Sequence, residues 1–264
     1  MTRRVLGLAL GLAALPVAAQ GVVLGGWALP EGAVVKSTST SVMRGRVAAP
    51  GGPVPVEQHT GNESVTQIDR VEGGRLTRAV QRTVASETKL FMAGSRLPSE
   101  PDPLVGRMVA VVRDGDGWRQ EPVGWRPSAA AREALDEPAT LDDAEYAARP
   151  VAVGETVEVD AQTLRRVYLD ATDGDHHLTV TLDSVGTFGG GPAAFLTQRV
   201  GVTTAFDGGT MRMDMTARVV RRLDWKLDVR TVWEGPVAIA MDAVTITGTM
   251  RYEAEQAVTF PESP

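Results

Sequence analysis

The chain has 264 residues, with 43% apolar and 23% charged side chains and no cysteine. That composition is globular rather than disordered. It excludes disulfides, thiolate metal centres, cysteine nucleophiles and a lipidated-cysteine anchor. The formal charge of −6 sets the chain against phosphate backbones and anionic lipid surfaces, so no nucleic acid partner is expected.

At the N-terminus, Arg3 and Arg4 precede an unbroken apolar run over residues 5–15, and Val17 and Ala19 are the small residues before a cut at Gln20. This is the three-part layout of a secretory signal. Residues 1–19 are expected to be a cleaved signal peptide and residues 20–264 a single β-rich domain, with a division into two lobes near 128–148 as the alternative. The apolar run is about half of the ~20 residues that span a bilayer, and no later segment is apolar enough to do so. The mature protein is expected to be periplasmic or secreted, with no transmembrane segment. Losing the leader removes two arginines and makes the chain more acidic.

After a Gly-rich lead-in, residues 33–47 are rich in Val, Ser and Thr and read as extended chain. Residues 64–71 and 76–91 flank Gly73-Gly74 and predict a hairpin. Three prolines make 96–103 a loop. Residues 105–113 and 118–125 predict a strand pair around Asp114-Gly115-Asp116-Gly117. Residues 128–148 are the helical patch, capped by Ser128, with a second short turn after Pro138. Its short helices suit a lid or an edge cover. Residues 151–160 predict another strand, 161–168 a further helical turn, and 178–188 with 193–206 a strand pair around Gly189-Gly190-Gly191-Pro192.

The strongest pattern is C-terminal. Met211, Met213, Met215, Ala217 and Val219 alternate with Arg212, Asp214, Thr216 and Arg218. The alternation resumes in Leu223, Trp225, Leu227, Val229 and Trp233, then in Val237, Ile239 and Met241, and switches parity to Val244, Ile246, Met250 and Tyr252. Successive strand side chains point to opposite faces, so one face is buried and the other wet. Helical spacing would put Arg212 and Asp228 on the apolar stripe. One-sided burial means antiparallel pairing. The expected fold is mainly β: an antiparallel sheet forming a half-barrel or sandwich, with a short helical cover.

Candidate chemistry is sparse. Asp173, Asp175 and His176, with Asp170 and His177 beside them, combine carboxylates and imidazole as a metal site does. The same fragment is also what a tight acidic turn uses. Asp114-Gly115-Asp116-Gly117 lacks the remaining oxygen ligands of a calcium loop, and no serine sits in a nucleophile elbow. No cofactor and no catalytic residue is expected. Met213, Met215, Trp225, Leu227 and Trp233 are the candidate apolar binding face, since methionine and tryptophan can line an adaptable cavity as well as fill a core.

Two segments carry a family resemblance. Asp102-Pro103-Leu104-Val105-Gly106-Arg107 precedes a strand, and Arg149-Pro150-Val151-Ala152-Val153-Gly154-Glu155-Thr156-Val157-Glu158 follows the helical patch. Together they resemble an uncharacterised family of exported bacterial β-rich proteins bearing a Pro-Val-x-Val-Gly-Asp-x-Trp element. Here Glu155 stands for the Asp and Val157 for the Trp. The resemblance implies an exported β-rich domain and assigns no activity. At the level of fold, the pattern is similar to the half-barrels of periplasmic lipoprotein carriers. The leading expectation is a module of the envelope that binds or carries a lipid or apolar small molecule. A structural protein that docks an envelope partner and a metal-dependent hydrolase are the alternatives.

Overall fold

The computed structural model describes residues 21–25, 28–49, 51–115, 117–137, 146–147, 149–159, 177–206, 209–241 and 244–260. The expected leader, the expected helical turn at 161–168 and the candidate metal residues Asp173, Asp175 and His176 lie outside them.

Fourteen strands and one helix follow in chain order: β1 (Val22–Val23), β2 (Val34–Val47), β3 (Val54–Glu72), β4 (Arg75–Met92), β5 (Ser95–Leu97), β6 (Met108–Asp114), β7 (Gly117–Pro122), α1 (Ala129–Asp136), β8 (Pro150–Val151), β9 (Thr156–Glu158), β10 (His177–Phe188), β11 (Gly191–Phe206), β12 (Gly209–Arg222), β13 (Leu227–Met241) and β14 (Val244–Thr259). Among the described residues, β1 pairs only with β8. The other twelve make one antiparallel sheet in the order β7-β6-β4-β3-β2-β14-β13-β12-β11-β10-β9, with β5 also on β4. The sheet is open, as expected for a half-barrel.

Most connections are tight hairpins, which fixes neighbour order by sequence order. The pairing of greatest sequence separation in the large sheet is the closure of β14 against β2, where Thr259 pairs with Val34 and Ile246 with Val47. This pairing places the strands before the helical patch and those after it side by side in the same sheet. Gly73, Gly74, Gly189 and Gly190 all have positive φ at hairpin tips, the conformation in which glycine is favoured.

α1 starts where Ser128 Oγ accepts from the Ala131 N–H at 3.2 Å and ends before Pro138, which disfavours helix at the preceding residue. It packs against edge strand β7. There Gln120 Nε2 donates to the carbonyls of Ala134 at 3.4 Å and Glu137 at 3.0 Å. The helix therefore shields a sheet edge from further pairing. It does not cover the Met213 and Met215 side of the sheet, which lies on β12, many strands away.

Cross-strand pairs share a face, so the register divides the sheet into two surfaces. The inner one carries Leu178, Val180 and Leu182 of β10, Leu196, Gln198 and Val200 of β11, and Met213, Met215, Ala217 and Val219 of β12. On the outer one, Arg44 pairs with Glu57, Lys36 with Val65, and Glu234 with Arg251. Two buried clusters result. The larger joins Leu178, Val180, Leu182, Leu196, Val200, Met215, Ala217 and Val219 to Leu24, Tyr146, Val151, Val157 and Val159. The smaller gathers Leu29, Ala33, Val35, Ile68, Leu76, Leu227 and Val229.

Candidate functional site

The inner face is apolar across the middle of the sheet at the end where the β13–β14 hairpin turns. One row runs Val202–Met213–Val237–Gly248–Gly45–Val56–Met92 through successive pairs. The next toward the hairpin runs Met211–Ile239–Ile246–Val47–Val54. Behind them, Met250 pairs with Met43. Met211, Met213, Ile239, Ile246, Met250 and Val47 are only partly buried. Together they form an apolar trough that continues directly from the larger cluster, against which Met213, Trp233 and Met250 pack.

Glycines shape the trough. A Cβ on Gly248 would overlap the Arg44 carbonyl, and one on Gly235 would overlap the Asp214 carbonyl. Gly45, paired directly with Gly248, would bring its Cβ to 2.9 Å from the Thr247 carbonyl oxygen. All three positions belong to the inner face by register. Neighbouring backbones close up on that face only where side chains are missing, so β13, β14 and β2 fold toward it along a glycine crease. The same curvature leaves inner residues half-buried where outer ones are exposed: Ser37, Ser39 and Ser41 against Lys36, Thr38 and Thr40.

Beyond the trough, toward β4, the inner face changes chemistry. Ser41 pairs with Thr60 and Thr60 with Thr88; Ser39 pairs with Asn62 and Asn62 with Ser86. This half is lined by hydroxyls and amides. Over the other half, the apolar face is covered by Leu24, Val151 and Tyr146. Tyr146 is anchored there: its hydroxyl donates to Asp228 Oδ2 at 2.6 Å, while Arg221 donates to Asp228 Oδ1 at 2.7 Å. Arg221 is only 2% exposed, and its guanidinium lies 5.2 Å from the Tyr146 ring centroid. A buried ion pair of this kind holds its place only when both partners and their remaining hydrogen-bonding groups are matched.

The five candidate binding residues do not form one face. Met213, Met215 and Trp233 belong to the larger cluster, Trp225 and Leu227 to the smaller. Two features separate them. Residues 223–226 are a turn, with Lys226 at φ 52°, so Trp225 is not on a strand. Its ring stacks under the Arg222 guanidinium at 3.7 Å and tilts against Phe260 at 5.7 Å. A β-bulge then shifts the register, so that Val220 pairs with Arg230 but Arg221 with Asp228. The extra residue moves Leu227 to the face of Arg222, opposite to that of Trp233. Met43, Val47, Met211, Ile239, Ile246 and Met250 complete the trough. The alternation names Met211, Ile239, Ile246 and Met250 one strand at a time, and the β14–β2 pairing adds Met43 and Val47 to them.

The outer face is charged and paired. Lys36 meets Glu63 at 2.8 Å, Arg44 meets Glu57 at 2.8 Å, and His59 meets the same carboxylate at 2.9 Å. The Arg44 guanidinium, helped by His59, holds the Glu57 carboxyl below the ordinary carboxylate range. An open groove of about 440 Å³ lies here, lined by Arg44, Pro55, Val56, Glu57, His59 and Phe91. Among the described residues, no three His, Asp or Glu side chains are grouped to hold a metal ion. His177 itself lies over Gly201, its strand partner.

The resembling segments are well-formed turns. Asp102 Oδ1 accepts from the Leu104 N–H at 2.8 Å, and Gly106, at φ 78°, donates to the Thr83 carbonyl at 2.7 Å. In the second, Glu155 accepts from the Ala152 N–H at 2.9 Å and from Arg149 at 2.5 Å, while Gly154 N–H donates to the Leu182 carbonyl at 2.7 Å. The element ties β8 and β9 to β10, and Arg149 holds the Glu155 carboxyl below its ordinary range.

No family model matches the chain, so these two segments stand as a resemblance, and no curated protein is similar to it. Among solved structures it is similar to lipovitellin, from a study of its lipid–protein interactions, at a TM-score of 0.44 and 10% identity, over 89% of this chain and 26% of that one. The chain thus spans about a quarter of the lipovitellin chain it matches. It is also similar to an outer membrane channel from Pseudomonas putida F1, at a TM-score of 0.23 and 7% identity over 88% and 97% of the two chains. A third likeness is to a DUF1329 family protein from Desulfovibrio piger, at 0.13 and 9% over 87% of each.

Proposed function

We propose that this is an exported carrier that holds an acyl chain or similar apolar ligand along the inner face of its sheet. One observation carries the reading. The trough of Met43, Met211, Met213, Ile239, Ile246 and Met250 is apolar, curved inward by the glycine crease and partly open to solvent, whereas the outer face is ionic. Unbranched thioethers adapt to flexible chains without a fixed shape. The leader expected over residues 1–19 would deliver such a carrier to the envelope.

The test is binding of N-phenyl-1-naphthylamine, an uncharged dye that brightens in apolar surroundings, and its displacement by lauric acid. Saturable binding that falls at least tenfold in Ile239→Asp and Ile246→Asp, but not in the outer-face control Val42→Asp, is the expected result. Absence of saturable binding to the wild type, or equal loss in the control, would overturn the proposal.

A second reading, docking of an envelope protein, rests on the β4 edge. β4 pairs with β6 over Arg78–Arg82 and with β5 over Leu90–Met92. Between them, among the described residues, residues 84–89 have β3 on one side and no strand on the other. Such an edge can accept an added strand.

A further inference from the structure

Gln198 lies in the heart of the larger cluster. It is 2% exposed, and its Nε2 has no hydrogen-bond partner among the described residues. Its neighbours along β11 on the same face are Leu196 and Val200, and its cross-strand partners are Val180 and Ala217. A buried donor without an acceptor costs stability, whereas leucine at the same place would have nothing to desolvate. An amide here weakens the fold unless something else bonds to it.

The row through Gln198 leads to the trough. It runs Val157–Val180–Gln198–Ala217–Trp233–Tyr252 across β9, β10, β11, β12, β13 and β14. Ala217 is the smallest member, and it stands between Gln198 and the partly exposed Trp233. On its trough side lie Met213 and Met250, which already touch the cluster. A chain lying over the two methionines has its end beside Trp233, one methyl-sized residue from the amide. Trp233 is the side chain that has to shift to admit it.

We infer that Gln198 is the polar anchor of the trough, donating through Nε2 to a neutral carbonyl at the end of a bound acyl chain. The surroundings define the class of ligand. The nearby inner-face cation, Arg221, is engaged with Asp228, so a phosphate or ionised carboxylate would enter an apolar cluster against a large desolvation cost. An ester, an amide or a protonated acid carries an acceptor and no charge. A carbonyl that meets the amide recovers the hydrogen bond the fold leaves unmade, and selects acyl compounds over plain hydrocarbons.

The inference rests on the trough reading, and one experiment separates the two. Methyl laurate and tridecane, equal in carbon number, compete with N-phenyl-1-naphthylamine for the wild-type full chain, Gln198→Leu and Gln198→Met. The wild type is expected to prefer the ester by about tenfold, equivalent to about 1.4 kcal/mol. Both variants are expected to lose that preference while binding tridecane as before, and to unfold at higher urea than the wild type in the absence of ligand. Equal ester preference in wild type and variants overturns the anchor and leaves the trough standing. Loss of both compounds in both variants also overturns it, since the residue would then serve only packing. If neither compound displaces dye from the wild type, the trough itself is wrong and the anchor falls with it.

Discussion

The two halves of the inner face follow one pleat and obey one parity, yet differ in everything that parity does not set. In the β10–β12 half, away from the trough, the inward residues include Leu178, Val180, Leu182, Leu196, Val200, Met215 and Val219, all under 4% exposed and covered by Leu24, Tyr146 and Val151. In the β2–β4 half, past the apolar Met43, Val47 and Val56 of the trough, the inward positions hold Ser39, Ser41, Thr60, Asn62, Ser86 and Thr88. Alternation fixes which way a side chain points. Burial depends on whether a second layer stands over it, and the second layer here comes from short segments outside the long strands. The hydroxyl-lined half can remain wet without cost because each group can bond to water or a cross-strand neighbour, as Thr60 does with Thr88 at 3.5 Å.

Substitutions should expose that asymmetry. The largest loss is expected from Asp228→Ala, which takes the carboxylate away from both the buried Arg221 guanidinium and the Tyr146 hydroxyl. Breaking a buried pair from one side costs roughly 3–5 kcal/mol, read as a lower urea midpoint. Replacing both members, as Arg221→Met with Asp228→Leu, should recover most of it, because no charge is then left unmatched. A contrast across the halves comes next. Leu182→Ala, in the covered half, should cost about 2–5 kcal/mol, whereas Thr88→Ala, at an inward position of the open half, should stay within about 0.5 kcal/mol. Similar losses at the two sites would mean that the open half is covered in solution.

The sequence makes the alternating strands legible because β-branched and apolar residues recur every second position, as over Met211 to Val219. Helix α1 is legible too, since Ser128 and Pro138 mark both its ends. The turn at 223–226 is hidden: Leu223, Trp225 and Leu227 continue the two-residue rhythm, and neither Gly nor Pro interrupts it. What bends the chain is a local side-chain clasp that carries no turn signature, with Arg222 holding the Asp224 carboxylate at 2.6 and 2.9 Å and stacking on Trp225. The bulge beside Val229 is likewise silent, since it depends on pairing with β12. The first half of β3 is missed for a local reason, as Pro55, Gly61 and Asn62 depress strand propensity, while the ladders to β2 and β4 on either side hold it extended. The trough is the least legible feature, because each strand carries only a few of its residues, and Met43 and Val47 reach those of β12, β13 and β14 only through the β14–β2 closure. Gln198 is equally silent, because a single glutamine in an alternating strand carries no pattern.

The smallest expected effect distinguishes ion pairs on the two halves. Glu57, on the outer surface of the β2–β4 half, has its carboxyl held down by Arg44, whose side chain is 70% exposed, and by His59. Asp224 has its carboxyl held down by Arg222, whose side chain is 7% exposed beneath Trp225. Both folded-state values are lowered, so each pair stabilises the fold above the unfolded carboxyl value of about 4. That contribution disappears as the pH falls through the lower folded value. Salt separates the two cases. At about 1 M the screening length is roughly 3 Å, so the Glu57 titration followed by NMR should return toward the free carboxyl, while that of Asp224 stays depressed. The urea midpoint should agree: Asp224→Asn lowers it at pH 7, and the difference shrinks as the pH falls through the lowered wild-type carboxyl value. A salt response of Asp224 as large as that of Glu57 would show that the turn is open to solvent, and that the stacking of Arg222 on Trp225 shields nothing.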